Sequence, residues 1–300
     1  MGIPLIQVCY VRLGTQDVEQ GARFAADILG LERVPTDDGE APFRSDDLLH
    51  RLCLTKGLPG EQSVGLELPD ESCVASAKAA LEERGFAVRE ATADECKRRF
   101  VRQALFTADG SGNAIELVIR PACSGRRYFP SRDAGITGLQ GVGLRSTDIT
   151  RDLEFWTCVF DAAISDRVGD VTYLRIDSRH HRVALYPSER RGILYISLDV
   201  ESLDSVMQSN YFLRDRQIKI VHGPGKETAS GQVFVRFQGP EGNLFSFVHG
   251  MRDIDAKWRP RQFSPQRESV CAWGSEPAEV PELDLGRHTD TAHKQAGRPT

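Results

Sequence analysis

The strongest constraint on this 300-residue chain is that it repeats itself. Val8-Cys9-Tyr10-Val11-Arg12-Leu13 is followed by Asp17, Phe24 and Leu29-Gly30. A shift of 131 residues brings Leu139-Gln140-Gly141-Val142-Gly143-Leu144, then Asp148 and Phe155. Each copy reads as a short alternating strand, an acidic N-cap and an amphipathic helix. In the first, Asp17 and Gln20 have capping-box spacing and Gly30 supplies a C-terminal stop. A repeat of this size restricts the fold to two copies of one architecture.

Each half contains a second unit. Ser63 to Leu68 alternates as a strand and leads through Asp70 into a helical stretch ending near Gly85; its counterpart is Tyr195 to Val200, leading into Leu203 to Leu213. Each half closes on a hairpin. The first runs Ala104 to Phe106, turn 109–113, then Ala114 to Ile119; the second runs Val233 to Gln238, turn 239–243, then Leu244 to Val248. The expectation is an α+β fold of four strand–helix–strands modules, two per domain. The domains are 1–120 and 137–250, with 121–136 a linker rich in Pro, Ser, Gly and Arg. Residues 251–300 hold five of the 15 prolines and read as an irregular tail, draped near Trp258 and Trp273 and frayed past about residue 285.

Composition excludes several classes. No apolar run approaches the roughly 20 residues of a membrane span, and Met1 to Ile6 lacks the basic and long apolar regions of a secretory signal. A net charge of −5 and basic clusters as short as Arg126-Arg127 and Arg190-Arg191 argue against nucleic acid as a partner. The seven cysteines are scattered without a C-x-x-C pair, which fits reduced thiols in a cytoplasm, each read as a small core residue.

Ser178-Arg179-His180-His181-Arg182-Val183-Ala184-Leu185, and Gly223-Pro224-Gly225-Lys226 through Phe234 to Gly242-Asn243, carry a more specific likeness. With the repeat, they make the chain resemble the vicinal oxygen chelate superfamily, in particular its two-domain type I extradiol ring-cleavage dioxygenases. The resemblance covers about residues 5–260. It implies paired βαβββ modules that curl each sheet into a cup. It also implies Fe(II) or Mn(II) in the second cup, held by two histidines and a glutamate with open positions for a catecholate and oxygen.

In the family register the three ligand positions of the second half are Gly141, Tyr195 and Ser246, and those of the first half are Tyr10, Ser63 and Glu116. Outside the ligand set, Glu227 stands where the family has a histidine after Gly-Pro-Gly-Arg and Arg236 where it has a tyrosine, while His181 matches the acid/base histidine. The resulting expectation is a site with no metal and no cofactor. His181, Arg236, Glu227 and Tyr195 would form the reacting group, and Ser246, Arg236, His222 and Gly141 would contact the ligand. Such a site would carry out metal-independent acid–base chemistry on an oxygenated aromatic or related small molecule. Three alternatives stand beside it: a small-molecule binding protein, an inactive partner subunit, and a genuine ring-cleavage dioxygenase with an unrecognised metal site. His180 is expected on the face opposite His181 and His222 in an exposed loop, while His50, His249, His288 and His293 show no ligand spacing. The resemblance further implies a homo-oligomer.

Overall fold

The computed structural model describes residues 2–285 and forms two mixed sheets. The first contains β1 (Val8–Thr15), β2 (Glu32–Arg33), β3 (Ala41–Arg44), β4 (Leu52–Lys56), β5 (Gln62–Glu67), β6 (Val88–Glu90), β7 (Gln103–Ala108) and β8 (Ala114–Ile119), in the order 2-3-4-1-5-8-7-6. The second contains β9 (Ile136–Ser146), β10 (Ala163–Val168), β11 (Val171–Arg175), β12 (Val183–Pro187), β13 (Gly192–Val200), β14 (Ile220–Lys226), β15 (Val233–Gln238), β16 (Leu244–His249) and β17 (Arg261–Phe263), in the order 14-15-16-13-9-12-11-10-17. Strand for strand these are one topology, with β17 added at an edge. In both halves the first strand runs parallel to the fourth and antiparallel to the fifth.

The local signals explain the repeat. Asp17 accepts the Gln20 N–H at 2.9 Å and Asp148 accepts the Arg151 N–H at 3.0 Å, so each first helix starts on the same acidic cap. Gly30 ends the first helix at φ 81°, a left-handed conformation that glycine adopts without steric cost. The reciprocal capping box occurs elsewhere, at Thr92 and Glu95.

Alternation along the strands divides their side chains between two environments. Val142 and Leu144, Ile196 and Leu198, and Phe245 and Phe247 enter a large core that also takes Leu13, Phe43 and Leu117 of the first half. The other faces line the two cups. Tyr10 and Cys9 lie in the first; Tyr173, Tyr186 and Tyr195 lie in the second.

The tail departs from the irregular reading. Arg261 pairs in parallel with Asp166, Cys271 bridges to Glu227, and the Ala278 N–H bonds to the Val221 carbonyl at 2.7 Å. Leu283 is thereby buried against the second cup. Trp258 packs as expected, its indole N–H donating to the Ser165 carbonyl at 2.9 Å, whereas Trp273 is 51% exposed. The expected fraying past residue 285 lies outside the described residues. Cys123 and Cys158 are exposed rather than core residues: Cys123 lies in the loop after β8, and Cys158 lies on the outer side of the helical turn 155–159, whose Phe155, Trp156 and Val159 face inward. Among the described residues no helix is long and apolar enough to cross a membrane.

Candidate functional site in the C-terminal cup

One rung of the second sheet collects most of the expected site. His222 lies opposite Arg236, Arg236 opposite Ser246, Ser246 opposite Ser197, and Ser197 opposite Gly141. Ser197 was not singled out from the sequence. Its position two residues past Tyr195, on the same pleat face, is the signal that places it here.

Arg236 organises the rung. Its Nε donates to Ser246 Oγ at 2.9 Å, and its guanidinium lies 3.8 Å from the centre of the Tyr195 ring, a buried cation–π contact. Its Nη2 stands 4.0 Å from Glu227 Oε1, is buried, and has no hydrogen-bond partner among the described residues. Glu227 instead accepts from Ser230 Oγ at 2.7 Å. The two charges compensate each other without a hydrogen bond, so Arg236 keeps one donor free. Beside them a narrow cavity is walled by Tyr173, Tyr186, His222, Glu227, Phe234 and Arg236, and is covered by Val270, Leu283 and Leu285. It has room for about one water molecule. His181, Tyr195, Ser246 and Gly141 do not line it.

His181 lies behind that wall. Its ring is 4.7 Å from the Tyr173 ring centre, and its Nε2 is buried without a partner. Burial, reinforced by the nearby Arg182 and Arg236 guanidinium groups, pushes its pKa well below the usual histidine value. His180 does not point away as expected. The two histidines lie in the turn ahead of β12, where strand alternation does not apply, and their Nδ1 atoms are 3.1 Å apart. His222 is buried, not in an exposed loop, because the tail crosses over β14 and the Ser275 carbonyl meets its Nε2 at 3.0 Å. Burial, with Arg236 nearby, lowers its pKa to about 4.

The three ligand positions do not fit a divalent metal. A Cβ at Gly141 would overlap the Arg182 carbonyl oxygen, and the Tyr195 ring lies in the space that a side chain at Gly143 would fill. Ser246 Oγ is bonded to Arg236. In the first cup Glu116 accepts from Tyr10 Oη at 2.6 Å, Ser63 Oγ at 2.7 Å and Arg99 Nε at 2.6 Å. Among the described residues no three His, Cys, Asp or Glu side chains group as metal ligands.

His50 was read as having no ligand spacing. In fact the repeat shift carries His50-Arg51 onto His181-Arg182. Arg51 bonds Asp46 through Nε at 2.7 Å and the Cys9 carbonyl through Nη1 at 2.9 Å; Arg182 bonds Asp177 at 2.7 Å and the Gln140 carbonyl at 2.8 Å in the same way. Each arginine pins the turn that presents its histidine. His50 stacks on Tyr10 at 4.3 Å and, like His181, has a buried, unpartnered Nε2.

Two sheets of one topology, each folded into a cup behind a shared core, define the class: a two-domain protein of paired βαβββ modules. Residues 138–247 match the Glyoxalase/Bleomycin resistance protein/Dioxygenase superfamily, so the vicinal oxygen chelate resemblance holds. The chain is 25% identical to an iron-dependent extradiol dioxygenase of Rhodococcus jostii, across 89% of this chain and 95% of that protein. It is 26% identical to a 1,2-dihydroxynaphthalene dioxygenase of Sphingobium xenophagum, across 83% and 89%. Among solved structures, a halotolerant catechol dioxygenase superposes with a TM-score of 0.84 at 22% identity, covering 94% of this chain and 98% of that one. A Mn(II)-bound glyoxalase from Novosphingobium aromaticivorans superposes with a TM-score of 0.83 at 22% identity, covering 96% and 99%.

These findings correct the functional expectation. The relatives matched over 83–89% of the chain are named as dioxygenases, of the extradiol type, of 1,2-dihydroxynaphthalene and of 3-methylcatechol, not as enzymes of metal-free proton transfer. The acid–base reading inferred too much from three substituted positions.

Proposed function

We propose that this chain takes an aromatic vicinal diol in its C-terminal cup, as part of the ring-cleavage dioxygenase line. The observation that carries the reading is similarity, across 83–89% of the chain, to proteins named as an extradiol dioxygenase, a 1,2-dihydroxynaphthalene dioxygenase and a 3-methylcatechol 2,3-dioxygenase. Oxidative ring opening is therefore the activity to test first. The Fe(II) or Mn(II) implied by the resemblance does not fit Gly141, Tyr195 and Ser246. The chain's own residues supply binding: Arg236 offers its free Nη2 to a ring oxygen, and Tyr173, Tyr186 and Phe234 flank the ring. The Leu283 segment has to move for a ligand of that size to enter. A second reading, binding without ring opening, is favoured by the backbone closure at Gly141. The reduced thiols support a cytoplasmic location, and assembly of identical copies belongs to the same proposal, checked by light scattering.

The deciding experiment uses protein made in iron- and manganese-supplemented cells and purified without oxygen. Catechol, 3-methylcatechol, 2,3-dihydroxybiphenyl and 1,2-dihydroxynaphthalene are followed by oxygen uptake and by calorimetric binding. Oxygen consumed with ring-opened product, and iron or manganese bound to the protein, supports dioxygenase activity through ligands other than positions 141, 195 and 246. Binding without oxygen uptake supports the second reading. Absence of binding to all four sinks both.

A further inference from the structure

Behind His181 runs a buried chain that neither the resemblance nor the proposed function assigns. Asp166 Oδ2 is 2.8 Å from His180 Nε2, and His180 Nδ1 is 3.1 Å from His181 Nδ1. Asp166 and His180 are fully buried and His181 nearly so. Three elements that meet only in the folded chain hold the arrangement. Asp166 comes from β10, the histidines from the turn before β12, and Arg261 from β17. Arg261 binds Asp166 through its backbone N–H at 2.8 Å and Nη2 at 2.6 Å. The Trp258 ring meets His180 edge to face at 6.0 Å.

We infer that Asp166 and His180 are positioning residues that fix His181 as the Nδ1–H tautomer, leaving a buried, proton-accepting Nε2. The protons are assigned by charge and geometry. The Asp166 carboxylate can only accept, so His180 carries its proton on Nε2. Arg261 already balances the Asp166 charge, so a second cation on His180 would be a buried charge without compensation. His180 is therefore neutral and its Nδ1 is a lone pair. Among the described residues the group that meets that lone pair is His181 Nδ1, which must therefore carry its proton and leaves His181 Nε2 unprotonated. This is the unpartnered atom.

The consequence for a ligand rests on the proposed function. Any group that meets His181 Nε2 must donate, as a hydroxyl does and a methoxy or carboxylate does not, and Tyr173 has to shift for a ligand held by Arg236 to reach it. The tautomer itself needs no ligand, so it is tested apart from that reading.

The test is a histidine nitrogen-15 correlation spectrum of the unliganded full chain, with His181 assigned from its loss in His181→Gln. The expected result is an Nδ1–H pattern for His181 in the wild type. His180→Gln keeps a donor near Asp166 but removes the acceptor at the Nδ1 position, and should convert His181 to the Nε2–H form. His180→Asn places an acceptor where Nδ1 was and should restore the wild-type pattern. A purely structural role for His180 would leave the His181 signature unmoved in both. An Nε2–H pattern in the wild type overturns the inference by itself, even if both variants fail to fold. Conversion absent in a folded His180→Gln overturns it as well.

Discussion

At the residue scale, a backbone contact decides what the cup can hold. Position 141 faces the Arg182 carbonyl so closely that a Cβ overlaps it, so restoring the family residue cannot by itself restore the family site. Gly141→His should destabilise the protein by about 2 kcal/mol or more, since the obstacle is backbone rather than a side chain that can rotate away. It should also gain no iron or manganese. Urea unfolding and metal analysis check both; unchanged stability with stoichiometric metal would show that β9 and the Arg182 turn part easily. The buried histidines set the pH response. Burial holds His50 and His181 well below their unfolded value of 6.5 and His222 at about 4, so acid protonates the unfolded chain first. Their stabilisation is complete above about pH 6.5 and is lost as pH falls. Asp109 works the other way: burial and then the Asp152 charge raise it to about 7, so its contribution is lost as pH rises through that value. With three imidazoles against two carboxyls, Asp109 and the Asp199 that burial also raises, the urea midpoint should fall between about pH 7 and about pH 5. His222 alone accounts for about 2 kcal/mol of that loss. His222→Gln, which retains a donor for the Ser275 carbonyl, should flatten the slope; an unchanged slope would mean that His222 titrates normally.

At the element scale, the turn ahead of the fourth strand of each half is held by one arginine making two bonds of fixed geometry. A lysine cannot reproduce the fork. Arg182→Lys should therefore cost about 1.5–3 kcal/mol, the range for hydrogen bonds from a charged group. Its mirror, Arg51→Lys, should cost about as much, and urea titrations of the two variants compare them. A negligible loss in both would show that the turns hold without their arginines. The tail makes a separate element. Leu283→Ala should speed amide exchange at Ala278, whose N–H is bonded to Val221, while exchange in β13 stays slow. Equal acceleration in β13 would mean that the segment is integral to the core rather than a cover. The sequence makes the strands and first helices legible because a repeat doubles every signal: Asp17 and Asp148 cap alike, and the Leu244 to Val248 alternation assigns Ser246 to the cup. The same shift pairs His50 with His181, and that equivalence was missed only because metal-ligand spacing was the criterion. Other features leave no local mark. Three residues, Arg261–Phe263, are too few to alternate visibly, and their partner β10 is nearly a hundred residues away in sequence. His180 turns inward because a turn does not obey strand periodicity. The closure at Gly141 depends on a carbonyl from another strand's approach, which no pattern around residue 141 encodes.

At the scale of the whole molecule, the halves are joined by more than a linker. Asn113 of the first half accepts the Gly192 N–H at 2.6 Å and donates to the Arg145 carbonyl at 2.9 Å. Gln62 accepts the Ile193 N–H at 2.8 Å and donates to Asn243 Oδ1 at 3.0 Å. Ser111 donates through its hydroxyl at 2.6 Å and its backbone N–H at 2.8 Å to Asp152, which is fully buried. Beside this polar seam the Phe86 ring of the first half meets Phe155 of the second edge to face at 5.2 Å. Separating the halves would leave these groups to be resolvated and an apolar face exposed, so neither half should persist once the other unfolds. All three tryptophans, Trp156, Trp258 and Trp273, lie in the second half, whereas buried Cys9 and Cys53 lie in the first. Tryptophan fluorescence and thiol labelling at Cys9 and Cys53, located by mass spectrometry along one urea titration, therefore report the two halves separately. The expectation is coincident midpoints in the wild type. Asp152→Ala removes the acceptor for Ser111 and should shift both midpoints down together. Labelling of Cys9 and Cys53 at urea concentrations that leave the tryptophans unchanged would show that the seam is weaker than the cores it joins.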